Sequence, residues 1–170
     1  PHNRDNDVLR FPFAEAPAPG TLKDVAPGVK WLRMPLPFAL NHINLWVLDD
    51  GDGWTLVDTG MSTDDTRRLW TEIFGGPLKA KPVKRLLCTH FHPDHLGLAG
   101  WLVEKLGIPL WITAPEFDAA RLNMTMTRET AVAMTSKIYI RAGLEWALPT
   151  YLAALGDGYK GRLSPLPATF

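Results

Sequence analysis

Thr89-His90-Phe91-His92-Pro93-Asp94-His95-Leu96-Gly97 comes directly after an apolar run that includes Val83, Leu86, Leu87 and Cys88. Three imidazoles and one carboxylate fall within the six residues from His90 to His95, and no histidine follows before Phe170. His90 and His92 are two apart, so in an extended segment both project to the same side and can share a cation. Pro93 turns the chain and sets Asp94 and His95 at the start of the next helix. From there both reach a second position a few ångströms from the first, the spacing of two-metal hydrolases. Imidazole with carboxylate suits Zn²⁺, Fe²⁺ or Mn²⁺, and ligand type alone does not select among them. Such a centre lowers the pKa of a bound water towards about 7 and polarises a carbonyl or phosphoryl oxygen.

The elements around this loop predict a layered α/β sheet. Residues 1–28 hold five of the fifteen prolines and read as an irregular lead-in. A first strand is predicted over 29–36. Residues 43–48 are apolar on both faces, which predicts a strand covered on two sides. Asp49-Asp50-Gly51-Asp52-Gly53 forms a turn into the antiparallel partner at 54–57. Ser62, with Asp65 three residues on, resembles a capping box for a helix whose face carries Leu69, Trp70, Ile73 and Phe74. Gly75-Gly76-Pro77 stops it. A strand over 83–89, a helix over 96–106 capped by Gly107 and a short strand over 110–113 follow. Residues 115–155 predict two or more helices, packed against the sheet or lying over the loop as a lid. Residues 156–170 read as loop.

Thr-His-Phe-His-Pro-Asp-His-Leu-Gly resembles the His-x-His-x-Asp-His signature of the metallo-β-lactamase fold superfamily, in its glyoxalase- and hydroxyacylglutathione hydrolase-like branch. Asn41-His42-Ile43-Asn44-Leu45 and Asp58-Thr59-Gly60 sit where that family has them. The resemblance implies the first half of an αββα sandwich over 29–113, followed by a helical insertion and a C-terminal loop over 114–170. It implies that His90 and His92 bind one metal and Asp94 and His95 a second, two zinc ions per complete site, with iron or manganese as alternatives. It also implies that Asp58 braces the metal loop from behind. His42 reads as structural. By the same resemblance a metal-bound hydroxide attacks an ester, thioester, lactone or related bond of a small-molecule substrate, with Asp94 as the catalytic carboxylate.

The family takes further ligands from its second half, and Asp118 and Asp157, the only later aspartates, have no motif around them. Each metal position then keeps two ligands from this chain, where a catalytic zinc typically has three. The expectation is a truncated chain, weakly metallated or inactive alone, completed by a second chain or a missing C-terminal half. The competing readings are a mononuclear iron enzyme resembling persulfide dioxygenases and a non-catalytic half-fold acting by association.

Composition narrows the partners. Eighteen basic and eighteen acidic residues balance, with no clustered basic face to predict nucleic-acid binding. No apolar stretch approaches the roughly 20 residues of a membrane span, so no membrane partner is expected. Cys88 is the single cysteine, and a reducing compartment, the cytoplasm, is the expected location. Gly156-Asp157-Gly158-Tyr159-Lys160-Gly161 matches a dinucleotide pattern but follows no predicted strand and precedes prolines, so it is set aside.

Overall fold

The computed structural model describes residues 12–154 and 158–170. The expectations for residues 1–11, and for Gly156 and Asp157, lie outside the described residues. Six strands form one sheet in the order β1-β2-β3-β4-β5-β6: Leu22–Ala26, Val29–Pro35, His42–Asp49, Trp54–Val57, Val83–Leu87 and Leu110–Trp111. β1 to β4 pair antiparallel through short turns, and β4, β5 and β6 pair parallel. Parallel neighbours need crossovers, and the helices supply them. α1 (Asp64–Gly75) joins β4 to β5; α2 (Pro93–Leu96) and α3 (Ala99–Leu106) join β5 to β6. α4 (Ala114–Thr125), α5 (Arg128–Arg141) and α6 (Leu148–Ala154) follow.

The register shows where the core lies. Val47, Leu56, Leu86 and Leu110 are successive cross-strand partners, and each is at most 1% exposed. Leu69, Trp70 and Ile73 of α1, together with Leu102 of α3, join the same buried cluster. The opposite face carries a second apolar row in which Trp31, Trp46, Val57, Leu87 and Trp111 are successive partners. Among the described residues no helix covers this row, and Trp46 and Trp111 remain 37% and 50% exposed. The two-sided apolar pattern of residues 43–48 therefore has one side packed and one side open. An open apolar face of this extent is what soluble surfaces normally cover.

Four expectations need correction. Residues 22–26 are not irregular: they add β1 to the edge of the sheet, pairing Leu22 with Leu32. The α1 cap is Thr63, whose hydroxyl accepts from Thr66 N at 3.1 Å, while Ser62 Oγ accepts from Arg67 Nη2 at 2.7 Å. Thr63 wins because it lies directly before the first helical residue, with Asp64 and Asp65 in the positive first turn. The single helix expected over 96–106 is two, α2 and α3, separated at Gly97 and Leu98. There Leu98 N donates to Thr59 Oγ1 at 3.0 Å and Gly97 O accepts from Ser164 N at 2.7 Å, bonds that draw the backbone out of one continuous helix. The loop expected over 156–170 includes a short 3-10 turn, Lys160–Arg162. Gly107 ends α3 in the left-handed conformation, φ 64°, as its sequence position predicts.

The helical region is not packed uniformly. Phe117 and Ala120 of α4 are buried in the core, whereas α5 has no buried residue. No helix among the described residues is long and apolar enough to cross a membrane.

Trp70 links this core to the site described next. It is fully buried, stacks on Phe74 at 5.3 Å between centroids, and donates its Nε1–H to Thr59 O at 2.7 Å. Trp70→Phe should cost about 2–3 kcal/mol, from the unpaired carbonyl and the space vacated by the larger ring. A urea midpoint unchanged in the variant would show that this bond does not anchor the Thr59 turn.

Candidate metal centre

The site stands at the C-terminal ends of β4 and β5, where parallel strands open towards their crossover loops. Asp58 follows β4 with φ 63°, the one described non-glycine residue at positive φ. Aspartate tolerates this region better than most residues, and such strain clusters at functional sites. Its backbone N donates to Leu87 O at 2.8 Å, tying the two strand ends together. Its carboxylate is buried at 4% exposure and faces the histidine loop. Oδ1 accepts from Thr89 N at 2.8 Å, and Oδ2 accepts from Thr89 Oγ1 at 2.9 Å and lies 2.8 Å from His95 Nδ1.

Thr59 continues the same work. Its N and Oγ1 both donate to His95 O at 2.8 Å, and the hydroxyl also receives Leu98 N. The backbone of His95 is thus pinned by Thr59 and its ring by Asp58. Close approach of the two segments requires small residues. A Cβ on Gly97 would lie 2.6 Å from Gly60 O and 2.3 Å from Pro93 O.

The result is a cluster of rings. The His90 centroid lies 4.7 Å from that of His92 and 4.0 Å from that of His95. Asp94 Oδ2 lies 3.5 Å from His95 Nε2. Burial, with the neighbouring His95 and His92, lowers the pKa of His90 and favours its neutral form. Burial acts in the same sense on His95, but the Asp58 hydrogen bond and charge outweigh it and raise that pKa. His92 caps α2 from an extended conformation, and Phe91 packs edge-on against it at 4.8 Å. His42 stands apart, with Nδ1 2.9 Å from Asn41 Oδ1. Cys88 is buried, and burial pushes its thiol pKa well up, as suits a small core side chain rather than a nucleophile.

Two residues that the motif does not announce hold the tip of the loop. Glu116 of α4 accepts from Phe91 N at 2.9 Å, and Tyr159 donates its hydroxyl to Phe91 O at 2.5 Å. They fix both backbone groups of the residue between His90 and His92. Burial, followed by the Glu116 charge, raises the Tyr159 pKa, so the phenol remains a donor. Thr59, Glu116 and Tyr159 are the neighbours that the histidine pattern does not reveal. Only Thr59, within Asp58-Thr59-Gly60, carried a local signal.

The donor set fits a divalent cation in kind: a neutral imidazole, two further rings, an adjacent carboxylate, and a buried acceptor orienting one ring by its Nδ1. In number it stops short. Among the described residues no group of three or more His, Cys, Asp or Glu side chains is arranged to hold a metal ion.

The model of the metallo-beta-lactamase superfamily matches residues 40–159. A solved beta-lactamase domain protein from Burkholderia ambifaria superposes with a TM-score of 0.72 at 39% identity, covering 94% of this chain and 47% of that one. A linear primary-alkylsulfatase of a Pseudomonas species is 38% identical over 60 residues, 35% of this chain and 11% of that protein. An atrochrysone carboxyl ACP thioesterase of Passalora fulva is 28% identical over 96 residues, 54% of this chain and 28% of that protein. The chain spans about half the length of the solved relative and less of the other two. Its sheet and crossover helices form the first half of the αββα sandwich, and the open tryptophan row lies on the face opposite those helices. By sequence model and by fold, the chain belongs to the metallo-beta-lactamase superfamily.

Proposed function

We propose that the protein is a metal-dependent hydrolase of ester, thioester, lactone or related bonds in a small-molecule substrate. His90 and His92 would hold one divalent cation, and Asp94 and His95 a second. The observation that supports this most directly is the Asp58 network beside a cluster in which His92 and His95 lie 4.7 and 4.0 Å from His90, with the Asp94 carboxylate adjacent. The superfamily is hydrolase-type, and two of the relatives carry a sulfatase and a thioesterase name. Zinc is the cation proposed, with iron or manganese as alternatives of the same donor chemistry.

When bound, such a cation supplies an acidified water and a polarised electrophile. The chain's own residues prepare for it. Asp58 accepts the Nδ1 proton of His95 and so leaves Nε2, on the Asp94 side, as the open donor. Glu116 and Tyr159 hold both backbone groups of Phe91 and so fix the bend that carries His90 and His92. Asp94, partly open to solvent, is assigned the proton transfers of hydrolysis. Two ligands per position are too few for tight binding, so we assign the remaining ligands to a second chain or to a C-terminal half of the fold.

Thioester and aryl ester turnover with added Zn²⁺ tests this. Hydrolysis should depend on the metal, stop with chelator, and fall at least 100-fold in His92→Ala. Turnover indifferent to chelator and to His92→Ala would reject the proposal. One equivalent of iron, with persulfide consumption unaffected by Asp94→Ala, would favour the oxygenase reading instead.

A further inference from the structure

A chamber of about 970 Å³ opens beside His92 and Pro93, walled by α4, α5, α6 and the 158–162 segment. That is the upper range of volumes that hold small ligands. On α5, Ala131, Met134, Thr135 and Ile138 face it at i, i+3, i+4 and i+7. Met134 and Ile138 are 53% and 64% exposed, although the stripe follows the spacing of a buried helix face. Tyr151 adds a further apolar surface from α6 and is held by Tyr139, 5.3 Å away between centroids. Apolar surface gathered in a concave wall marks a binding groove rather than random exposure.

The charged part of the lining is basic. Arg128, Lys160 and Arg162 contribute, and among the described residues no aspartate or glutamate does. Arg162 rests its guanidinium on the Phe38 ring at 5.2 Å. Among the described residues, neither Lys160 nor Arg162 forms an ion pair with a carboxylate. A concave wall of one sign concentrates ions of the other. This is local: the whole chain carries a formal net charge of zero.

We infer that this chamber binds an amphiphilic anion, its apolar body against Met134, Ile138 and Tyr151 and its charged group among Arg128, Lys160 and Arg162. The inference rests on the hydrolase reading only for its last element, that the bond to be cleaved lies at the His92 end. Binding itself requires no metal and no reaction. Each methylene that enters the wall should tighten binding by about three- to fourfold.

Calorimetric titration of the intact chain in the presence of EDTA tests the inference, with 1-decanesulfonate, 1-butanesulfonate and decyltrimethylammonium below their micelle concentrations. Decanesulfonate should bind at least tenfold more tightly than either of the others. Ile138→Gln should weaken it at least fivefold, and Lys160→Gln should reduce the preference for anion over cation at least threefold. Both positions are on the surface, and their melting curves should stay close to the parent's. Trp46→Gln, on the open sheet face, should leave the titration unchanged. Equal affinity for the anion and the cation, or a titration that Ile138→Gln does not alter, overturns the inference. Because the probes have no cleavable bond and the metal is chelated, failure here leaves the hydrolase reading standing. Turnover indifferent to chelator and to His92→Ala, with decanesulfonate still bound, removes that reading and keeps the site.

Discussion

Asp58→Ala should lower stability by about 3–5 kcal/mol and weaken metal binding by about 10- to 100-fold. The carboxylate is buried and accepts from Thr89 N, Thr89 Oγ1 and His95 Nδ1, so truncation removes the shared acceptor of three donors at once. Alanine is also a poorer occupant of the φ 63° backbone, which costs about 1 kcal/mol more. Asp58→Asn keeps one acceptor oxygen and tolerates the backbone, so its urea midpoint should fall between alanine and parent. A parental midpoint in Asp58→Ala would mean that the network contributes nothing to holding the loop.

Gly97→Ala should be strongly damaging for a single added methyl, lowering the melting temperature by about 10 °C, equivalent to some 3 kcal/mol in a chain of this size. The added carbon would lie 2.3 Å from Pro93 O, 2.6 Å from Gly60 O and 2.8 Å from Met61 Cα. All three are backbone atoms, and no rotamer change relieves the overlap. The segment bearing His95 would have to part from the Asp58-Thr59-Gly60 turn, so ring geometry and stability should fail together. Gly51→Ala is the control. Gly51 is at φ 72° with open space where its Cβ would stand, and it should cost only about 1 kcal/mol. Equal losses in the two variants would contradict the claim that close contact of these segments positions the loop.

Local chemistry made much of this molecule legible. The aspartate- and glycine-rich turn before Trp54, the Leu69-Trp70-Ile73 face of α1 and the Gly107 cap are each set by neighbours a few residues away. The histidine loop is legible in part: its ring centroids lie 4.0 and 4.7 Å apart, but residues 89–92 bend rather than run extended. What sequence does not show is decided across the fold. β1 is a short edge strand between prolines, specified by pairing with β2 rather than by its own pattern. The break at Gly97 comes from Thr59, 39 residues before Leu98, and from Ser164. Glu116 and Tyr159 reach Phe91 across 25 and 68 residues, Glu116 outside any motif and Tyr159 only within the glycine pattern that is set aside. The region over 115–155 read as core packing or lid because its apolar spacing suits both. α4 takes the first role, and α5, with no buried residue, lines the chamber.

Zinc titration of the chain, followed through the imidazole resonances of its histidines by NMR, tests the central claim most directly. It reports binding even where two ligands per position make it weak. The signals of His90, His92 and His95 should move together and saturate together, and His42, bonded beside Asn41, should stay still. In the His90→Ala, His92→Ala double variant the response that remains should be that of His95 alone, through its own position with Asp94. Rings that do not respond to zinc, or that respond no more than His42 does, would contradict the assignment of this loop as a metal centre.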